Sequence, residues 1–162
     1  MTHAIRPFSD EDLESLIDLT LRAFVPIFES FERILGPAVY SHIWPDWRAG
    51  QREAVETMCG DPDRYAVWVA DVAGRAVGYV AYTVDEESKT GEIQLIAVDP
   101  DYQNGGIATA LCTRVLDEMT AQRMTFAKVE TGGDPSHAPA RSAYEKAGFT
   151  GLPLVRYFKK LG

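Results

Sequence analysis

The spacing of apolar residues along the first third of the chain predicts helices. Over residues 10–24, apolar side chains recur every three or four positions, which is typical of an amphipathic helix. Ser9 and Asp12 form a capping-box pattern at its start. We expect Pro26 to interrupt the helix, because proline lacks the backbone N–H that a helix interior needs. A second, shorter apolar stripe follows and ends at Gly36, where a glycine commonly terminates a helix.

After residue 65 the spacing changes to the alternation that is typical of β-strands. Residues 66–71 and 75–84 flank a short turn at Val72, Ala73 and Gly74, and this arrangement predicts a β-hairpin. Residues 92–98 form the next predicted strand. The other predicted elements are an edge strand at 4–8, a third helical region up to about 58 with a break near Pro45, a helix from 136 or 139 to 147, and strands at 125–131 and 154–160.

A strand, a glycine loop and a helix follow one another in residues 93–116. Asp99 and Pro100 end the strand, since proline cannot donate a hydrogen bond to a neighbouring strand. Gly105 and Gly106 come next, and apolar residues at helical spacing begin with Ile107. The first amides of a helix lack intrahelical partners and carry partial positive charge, so this loop predicts a phosphate cradle. The following strand should return through a right-handed parallel crossover.

Two motifs carry a family resemblance. The segment from Gln103 to Ala108 fits the pattern Q/R-x-x-G-x-G/A, whereas the dinucleotide and P-loop glycine patterns are absent. Residues 140–149 fit A-x-x-x-Y-E-K-x-G-F, and residues 98–103 fit V-x-P-x-Y-Q. In these motifs and in its order of elements, the chain resembles the GNAT superfamily of acetyl-CoA-dependent N-acetyltransferases.

The resemblance implies an α+β fold with a GNAT-like mixed, mostly antiparallel central sheet, helices on both faces and a parallel crossover around the CoA-binding loop. It implies a single domain over residues 1–162. Residues 1–65 would supply the N-terminal strand and acceptor-side helices, 66–131 the sheet and CoA-binding core, and 132–162 the last helix and C-terminal strand. The implied cofactor-binding residues are Ile96, Ala97, Val98, Gln103, Asn104, Gly105, Gly106, Ile107 and Ala108. Many members of that family carry an Asn where this chain has Gly133 and Asp134, so the resemblance does not indicate which residue binds the pantetheine arm at this point.

Acetyl transfer to an amine needs a proton acceptor for the ammonium, donors for the oxyanion and a proton for the departing thiolate. The resemblance places Tyr144 beside the CoA sulfur as the acid, although its helical stripe also suits a core position. Glu92 is the candidate general base, with a surface position or a proton relay through water as alternatives. Glu130 is a second candidate base. His137 is interpreted either as a base or as a loop residue.

The predicted strand at 92–98 should present one face to the cleft. Simple alternation puts Glu92, Gln94, Ile96 and Val98 on that face. For the oxyanion we expect a backbone N–H within residues 96–98, since members of the resembled family carry a bulge in this strand.

Large aromatic residues crowd into residues 24–47, where they form either core or the wall of a binding cleft. Aromatic faces with nearby carboxylates suit a cation. We therefore expect a small-molecule or peptide amine as the acceptor, small or cationic, with Phe24, Phe28, Glu32 and Gln94 as substrate-binding residues. The alternatives are a non-catalytic acyl-CoA-binding sensor or interaction module, and an acyltransferase that uses another acyl-CoA.

The composition narrows the class of protein further. A net charge of −8 argues against a general nucleic-acid binder, and it either aids solubility or attracts a cationic acceptor. The sequence shows no apolar run of membrane-spanning length and no signal-peptide pattern, so we expect a cytoplasmic enzyme without membrane attachment. Cys59 and Cys112 lack metal or redox spacing, which predicts free thiols and no metal site. The predicted last strand offers an edge through which two copies could form a homodimer.

Overall fold

A five-stranded sheet forms the centre of the protein, and its strands follow the order β1-β2-β3-β4-β5. A computed structural model describes residues 2–162. The strands are β1 (Ala4–Pro7), β2 (Ala66–Val72), β3 (Arg75–Asp85), β4 (Thr90–Val98) and β5 (Phe126–Val129). The helices are α1 (Leu13–Leu35), α2 (Pro37–Ile43), α3 (Trp47–Gly60), α4 (Ile107–Ala121) and α5 (Ala138–Lys146). The first three strand pairs are antiparallel and the pair β4–β5 is parallel, as predicted.

Helices cover both faces of the sheet, which confirms the predicted fold class. On one face α1 and α3 bring Leu16, Ile17 and Val55 against Val69 and Tyr79 of the sheet. On the other face α4 and α5 pack against the sheet in a second core, whose fully buried members include Leu111, Cys112 and Val115. Burying each such aliphatic side chain contributes roughly 1.5–3 kcal/mol, so the two cores fix the helices on the sheet.

The predicted break at Pro26 is wrong, because α1 continues through this residue from Leu13 to Leu35. Proline at this position removes one hydrogen bond, the one that would reach the carbonyl of Arg22. Buried residues occur on both sides of it, with Leu19 before and Phe28 after. Packing along the whole helix therefore outweighs the loss of one backbone bond.

The predicted C-terminal strand at 154–160 is also wrong, and β5 is shorter than predicted. Residues 149–162 have no regular secondary structure, and Leu154, Val155 and Tyr157 are 74–89% exposed. A strand at residues 154–160 would need a neighbouring strand for its backbone hydrogen bonds, and in the described chain β5 pairs with β4 alone. Phe158 contacts the helical layer, with its ring centre 6.2 Å from that of Trp44.

Candidate active site

The loop between β4 and α4 is built from residues with left-handed backbone conformation. Asn104 has a φ of 62° and Gly106 a φ of 81°. Gln103 donates a hydrogen bond from Nε2 to the carbonyl of Val98 at 3.1 Å, which ties the loop to the end of β4. Gly106 is the N-cap of α4 and has no side chain to bond the first amides of the helix. These amides therefore have neither an intrahelical partner nor a capping group.

The residues of this loop fit a phosphate ligand. A Cβ atom built at Gly106 would meet no described atom within 4 Å, so there is room beside the start of the helix. A Cβ at Gly78 of β3 would lie 3.2 Å from both the Ala97 carbonyl and Ile107 Cγ2, so this glycine lets α4 start close to the sheet. The partial positive charge of the helix terminus makes this position suitable for a phosphate, and phosphate binding by residues Gln103 to Ala108 stays a prediction.

Strands β4 and β5 separate before β4 reaches this loop. They pair from Thr90 and Phe126 to Ile93 and Val129, and no further. Residues 94–98 of β4 continue toward the glycine loop without a partner on that side. The sheet therefore opens into a gap between the two parallel strands, and the backbone groups along the gap are free to bind an extended ligand.

A β-bulge lies at the point where the gap begins. Ile93 of β4 lies opposite Tyr82 of β3, but Leu95 lies opposite Ala81, so Gln94 is an extra residue on β4. A bulge of this kind bends the strand and redirects its side chains. It is often found next to an active site, and here it marks the start of the unpaired segment.

The bulge corrects one prediction about β4. Ile93, Ile96 and Val98 all contribute to the core on the α4 side, although strict alternation would place Ile93 on the face opposite Ile96 and Val98. Glu92, next to Ile93, therefore lies on the face opposite Ile96 and Val98, and the prediction of one shared face is wrong. A bulge in this strand was expected, and it lies at Gln94, where β4 leaves β5; an oxyanion N–H within residues 96–98 stays a prediction.

Tyr144 lies in the core between α4 and α5, on the side of the sheet where the glycine loop begins its helix. Its side chain is buried, and the Phe149 ring meets it edge-on at 5.9 Å. Burial, with a smaller contribution from Cys112, raises the pKa of Tyr144. The hydroxyl therefore keeps its proton at neutral pH, as a proton donor must.

Glu92 is engaged in an ion pair with the neighbouring strand. Lys128 of β5 places Nζ 3.3 Å from its carboxylate, and about one third of the Glu92 side chain is exposed. Glu130, the alternative base, is exposed just beyond the end of β5. The structure thus brings Glu92 to the closed end of the gap, four residues before the predicted oxyanion segment begins.

The aromatic residues of the first helices form one connected cluster, called here the aromatic cluster. Its members are Phe24, Phe28, Phe31, Tyr40, Trp44 and Trp47. Phe28 is buried and stacks on Trp47 at 4.4 Å, while the guanidinium of Arg48 lies 4.4 Å from the centre of the same indole. Both faces of Trp47 are therefore used within the protein. Glu32 is exposed on α1 at the edge of the cluster.

A groove of about 430 Å³ separates α3 from β4. Gln94 lines it from the bulge, with its Nε2 3.0 Å from Oγ1 of Thr83. Glu53 and Thr57 of α3 and Tyr65 line the opposite side. Glu53 and Thr57 could not be predicted as groove residues, because an exposed position on an amphipathic helix carries no signal of what it faces, and Tyr65 lies in the connection between α3 and β2.

Helix α1 connects the segments that follow β4 and β5, which lie on the two sides of the gap. Arg22 binds the buried carboxylate of Asp99, just after β4, with bonds of 2.9 and 2.7 Å. Two turns later the Ser30 hydroxyl donates to Asp134 in the loop after β5, at 2.7 Å. The two anchors are eight residue steps apart, which is about 12 Å along the helix. The pairs are 77 and 104 residues apart in sequence, so no local pattern could predict them.

His137 packs where this loop meets α1. Its Nδ1 lies 2.5 Å from Oδ1 of Asp134, and its ring stacks on Phe31 with 5.7 Å between the centres. Burial raises the pKa of Asp134, but hydrogen bonds from Ser136, Ser30 and His137 outweigh it and lower the value to about 2. The aspartate is therefore ionised throughout the neutral range.

Two further properties concern membranes and metals. Of the helices in residues 2–162, none is both long and apolar enough to cross a membrane. Within the same residues, His, Cys, Asp and Glu nowhere form a group of three or more that could hold a metal ion. Cys112 is buried and Cys59 partly buried, both as free thiols whose pKa burial raises to about 11.

Comparison with known sequences gives a consistent family. The sequence model of the acetyltransferase (GNAT) family matches residues 36–149. N-acetylaspartate synthetase of Xenopus tropicalis is 32% identical over 111 residues, which are 64% of this chain and 40% of that protein. Mycothiol acetyltransferase of Beutenbergia cavernae is 39% identical over 64 residues, or 40% of this chain and 21% of that protein. The chain thus matches less than half the length of these relatives.

Solved structures share the fold over nearly the whole chain. The PaiA N-acetyltransferase of Thermoplasma acidophilum, in complex with coenzyme A, has a TM-score of 0.70 at 16% identity, covering 93% of this chain and 91% of its own. AAC(6')-Iy, in complex with the bisubstrate analog CoA-S-monomethyl-acetylneamine, has a TM-score of 0.67 at 17% identity and full coverage of both chains. At these identities the likeness establishes the fold.

Proposed function

Because the chain belongs to the acetyltransferase (GNAT) family, we propose that it transfers the acetyl group of acetyl-CoA to a primary amine of a small, cationic acceptor. The observation that carries the proposal is the gap between β4 and β5, which opens beside the uncapped start of α4. The cradle would hold the pyrophosphate, and the pantetheine arm would lie along residues 94–98. This arrangement delivers the thioester to the middle of the sheet.

The residues around the gap can carry out direct attack of the amine on the thioester. The amine nitrogen, once deprotonated, bonds to the carbonyl carbon, and the oxyanion that forms needs an aimed backbone N–H from the unpaired part of β4. The carbon–sulfur bond then breaks. We assign Tyr144 the donation of a proton to the departing thiolate, because it lies in the core on the α4 side of the sheet and stands at the tyrosine of the family motif.

For Glu92 we propose a role in attracting the acceptor. Its carboxylate already holds a cation, the ammonium of Lys128. An acceptor ammonium that enters the gap can replace or join this lysine at the same carboxylate. The sequence-based prediction that Glu92 is the general base stays a prediction, and Glu92→Gln tests it.

The acceptor class is proposed from the charges near the site. Glu53 lines the groove beside Gln94, and Glu32 lies at the edge of the aromatic cluster. Among the similar proteins, five sequence relatives are named for an acidic product, N-acetylaspartate, whereas several solved structures are named for aminoglycosides, which are cationic. Carboxylates and a net charge of −8 favour an acceptor of the second kind.

A thiol-release assay over a panel of amines tests the proposal. The panel should contain polyamines, aminoglycosides, lysine-containing peptides and aspartate, each with acetyl-CoA, and calorimetry should measure CoA binding separately. We expect release of free CoA with cationic amines. CoA binding without release for any amine would favour a non-catalytic acyl-CoA sensor, and release only with succinyl- or propionyl-CoA would change the donor. Turnover of aspartate alone would reject the cationic acceptor.

A further inference from the structure

The pair formed by His137 and Asp134 has the geometry of an oriented base. The ionised Asp134 can only accept hydrogen bonds, so the contact of 2.5 Å requires that Nδ1 of His137 carries the hydrogen. In the neutral imidazole the other nitrogen, Nε2, then has a free lone pair. Ser30 and Ser136 also donate to Asp134, and this holds the carboxylate in place.

Nε2 of His137 remains accessible. The hydrogen bonds found for this side chain run through Nδ1. In residues 2–162, the buried polar side-chain atoms without a partner are Gln51 Oε1 and Arg114 Nε, so Nε2 is not among them. Nε2 is therefore not fully enclosed, although the side chain as a whole is only 14% exposed.

The loop around this pair is shaped to keep the two side chains together. A Cβ atom at Gly132 would lie 2.5 Å from both Asp134 Oδ1 and His137 Nδ1, so only glycine leaves room for the pair. Arg141 donates from Nη1 to the carbonyls of Gly132 and Asp134, at 2.6 and 2.8 Å. The backbone on both sides of the pair is thereby fixed to α5.

The pair lies in the loop that continues from the end of β5. It follows β5, whose carboxyl end separates from the unpaired half of β4. Phe31 stacks on the imidazole and connects it to the aromatic cluster on the acceptor side. The loop thus stands across the gap from the segment that would bind the thioester.

We propose that His137, oriented by Asp134, is the general base that takes the proton from the acceptor's ammonium; this rests on the proposed acetyl transfer. Nε2 accepts one proton from the ammonium, and the freed lone pair of the amine attacks the thioester carbon. The carbon–sulfur bond breaks, its electron pair leaves with sulfur, and Tyr144 protonates the thiolate. As the amide forms, the nitrogen loses its second proton, which replaces the one that Tyr144 gave. The imidazolium then returns its proton to solvent, so the enzyme ends unchanged.

Charged groups of the same loop and of α5 lie next to His137. Asp134 is the carboxylate in contact with it, and the Arg141 guanidinium lies against the same loop. From α1 the pair meets Ser30 and Phe31, which carry no charge. Since Asp134 stays ionised far below neutral pH, it does not itself cause a change of rate near neutral pH.

The test compares His137→Gln with wild type and with His42→Gln, a matched change at an exposed histidine of α2. For each protein, kcat/KM for one active amine is measured from pH 5 to 9 at saturating acetyl-CoA, and CoA affinity and Tm are measured alongside. We expect His137→Gln to lose on the order of 10²-fold in kcat/KM, to lose the rise of rate with pH, and to keep its CoA affinity. His42→Gln should follow wild type. Added imidazole should partly restore His137→Ala.

A structural role for His137 predicts different results. If His137→Gln lowers Tm and activity together but keeps the acidic limb of the profile, and imidazole does not rescue His137→Ala, the inference is overturned. If Glu92→Gln abolishes the acidic limb instead, the base is Glu92 and the inference is equally wrong. A wild-type protein that releases no thiol with any amine rejects the proposed function, whereas an active wild type with an unaltered His137→Gln profile rejects this inference alone.

Discussion

Replacing Arg22 with methionine should lower the free energy of unfolding by about 2–3 kcal/mol. Asp99 is only 1% exposed, and it loses two charge-assisted bonds of 2.9 and 2.7 Å. It keeps Arg75 at 3.3 Å and the Asp101 amide at 3.0 Å. Removing one partner of a buried ion pair costs about 3–5 kcal/mol, but Arg22 is partly exposed and water can replace some of its contacts.

Thermal unfolding and urea titration at pH 7 measure this loss. In a chain of 162 residues each kcal/mol shifts Tm by about 2–4 °C, so Tm should fall by about 4–12 °C. The matched control is Asp18→Asn, which removes the exposed partner of the same arginine and should cost only about 0.3–0.5 kcal/mol. If Arg22→Met lowers Tm no more than Asp18→Asn does, the anchor between α1 and the end of β4 has been overestimated.

The pH dependence provides a second check on the same ion pair. The hydrogen bonds from Arg22 lower the pKa of Asp99. A carboxylate whose pKa is lower in the folded protein stabilises the fold above its unfolded pKa of about 3.9, and this contribution is lost as the pH falls through the folded value. The stability difference between wild type and Arg22→Met should therefore be complete at pH 7 and shrink below about pH 4. A difference that stays constant down to pH 2 would contradict the assignment.

Three further substitutions test the candidate site. Gly106→Val places a branched side chain in the cradle at a φ of 81°, so the protein should lose its affinity for CoA. The control Gly74→Val, at a φ of 84° in the β2–β3 turn, should reduce stability only. Equal CoA affinities of the two variants would refute the cradle. Tyr144→Phe should lower kcat on the order of 10²-fold and leave the CoA affinity intact. The control Tyr79→Phe, which loses a buried hydrogen bond to a threonine, should change Tm but not kcat. A normal kcat in Tyr144→Phe would show that Tyr144 has only a structural role. Glu32→Gln should raise the KM of a cationic acceptor several-fold and leave CoA affinity unchanged, and an unchanged KM would remove this carboxylate from the acceptor site.

The order of elements could be predicted because periodicity and turn chemistry are local. The β2–β3 turn shows this, since Ala73 and Gly74 both adopt the positive φ that a tight hairpin requires. The continuity of α1 through Pro26 could not be predicted, because it depends on packing against a sheet formed much later in the chain. The prediction of a last strand was wrong because strand-like composition is not sufficient: residues 154–160 have that composition, but β5 does not pair with them.

The candidate site could be predicted only in part. The glycine loop and the position of Tyr144 follow from contiguous motifs. The bulge at Gln94 depends on register against β3, which alternation within one strand cannot reveal. The pairing of Ser30 with Asp134 joins residues 104 positions apart, so the sequence could not show that α1 holds this carboxylate in place beside His137.

Helix α1 acts as a rigid spacer across the gap between β4 and β5. A helix rises by about 1.5 Å per residue and does not stretch, so its two anchors, Arg22 and Ser30, hold Asp99 and Asp134, which follow the two strands, at a fixed separation. Because the strands cannot move apart, a longer acyl chain must be accommodated by smaller side chains along the gap. We therefore expect a new acyl-donor preference to evolve by substitution of the residues that line the gap, with the strand positions unchanged.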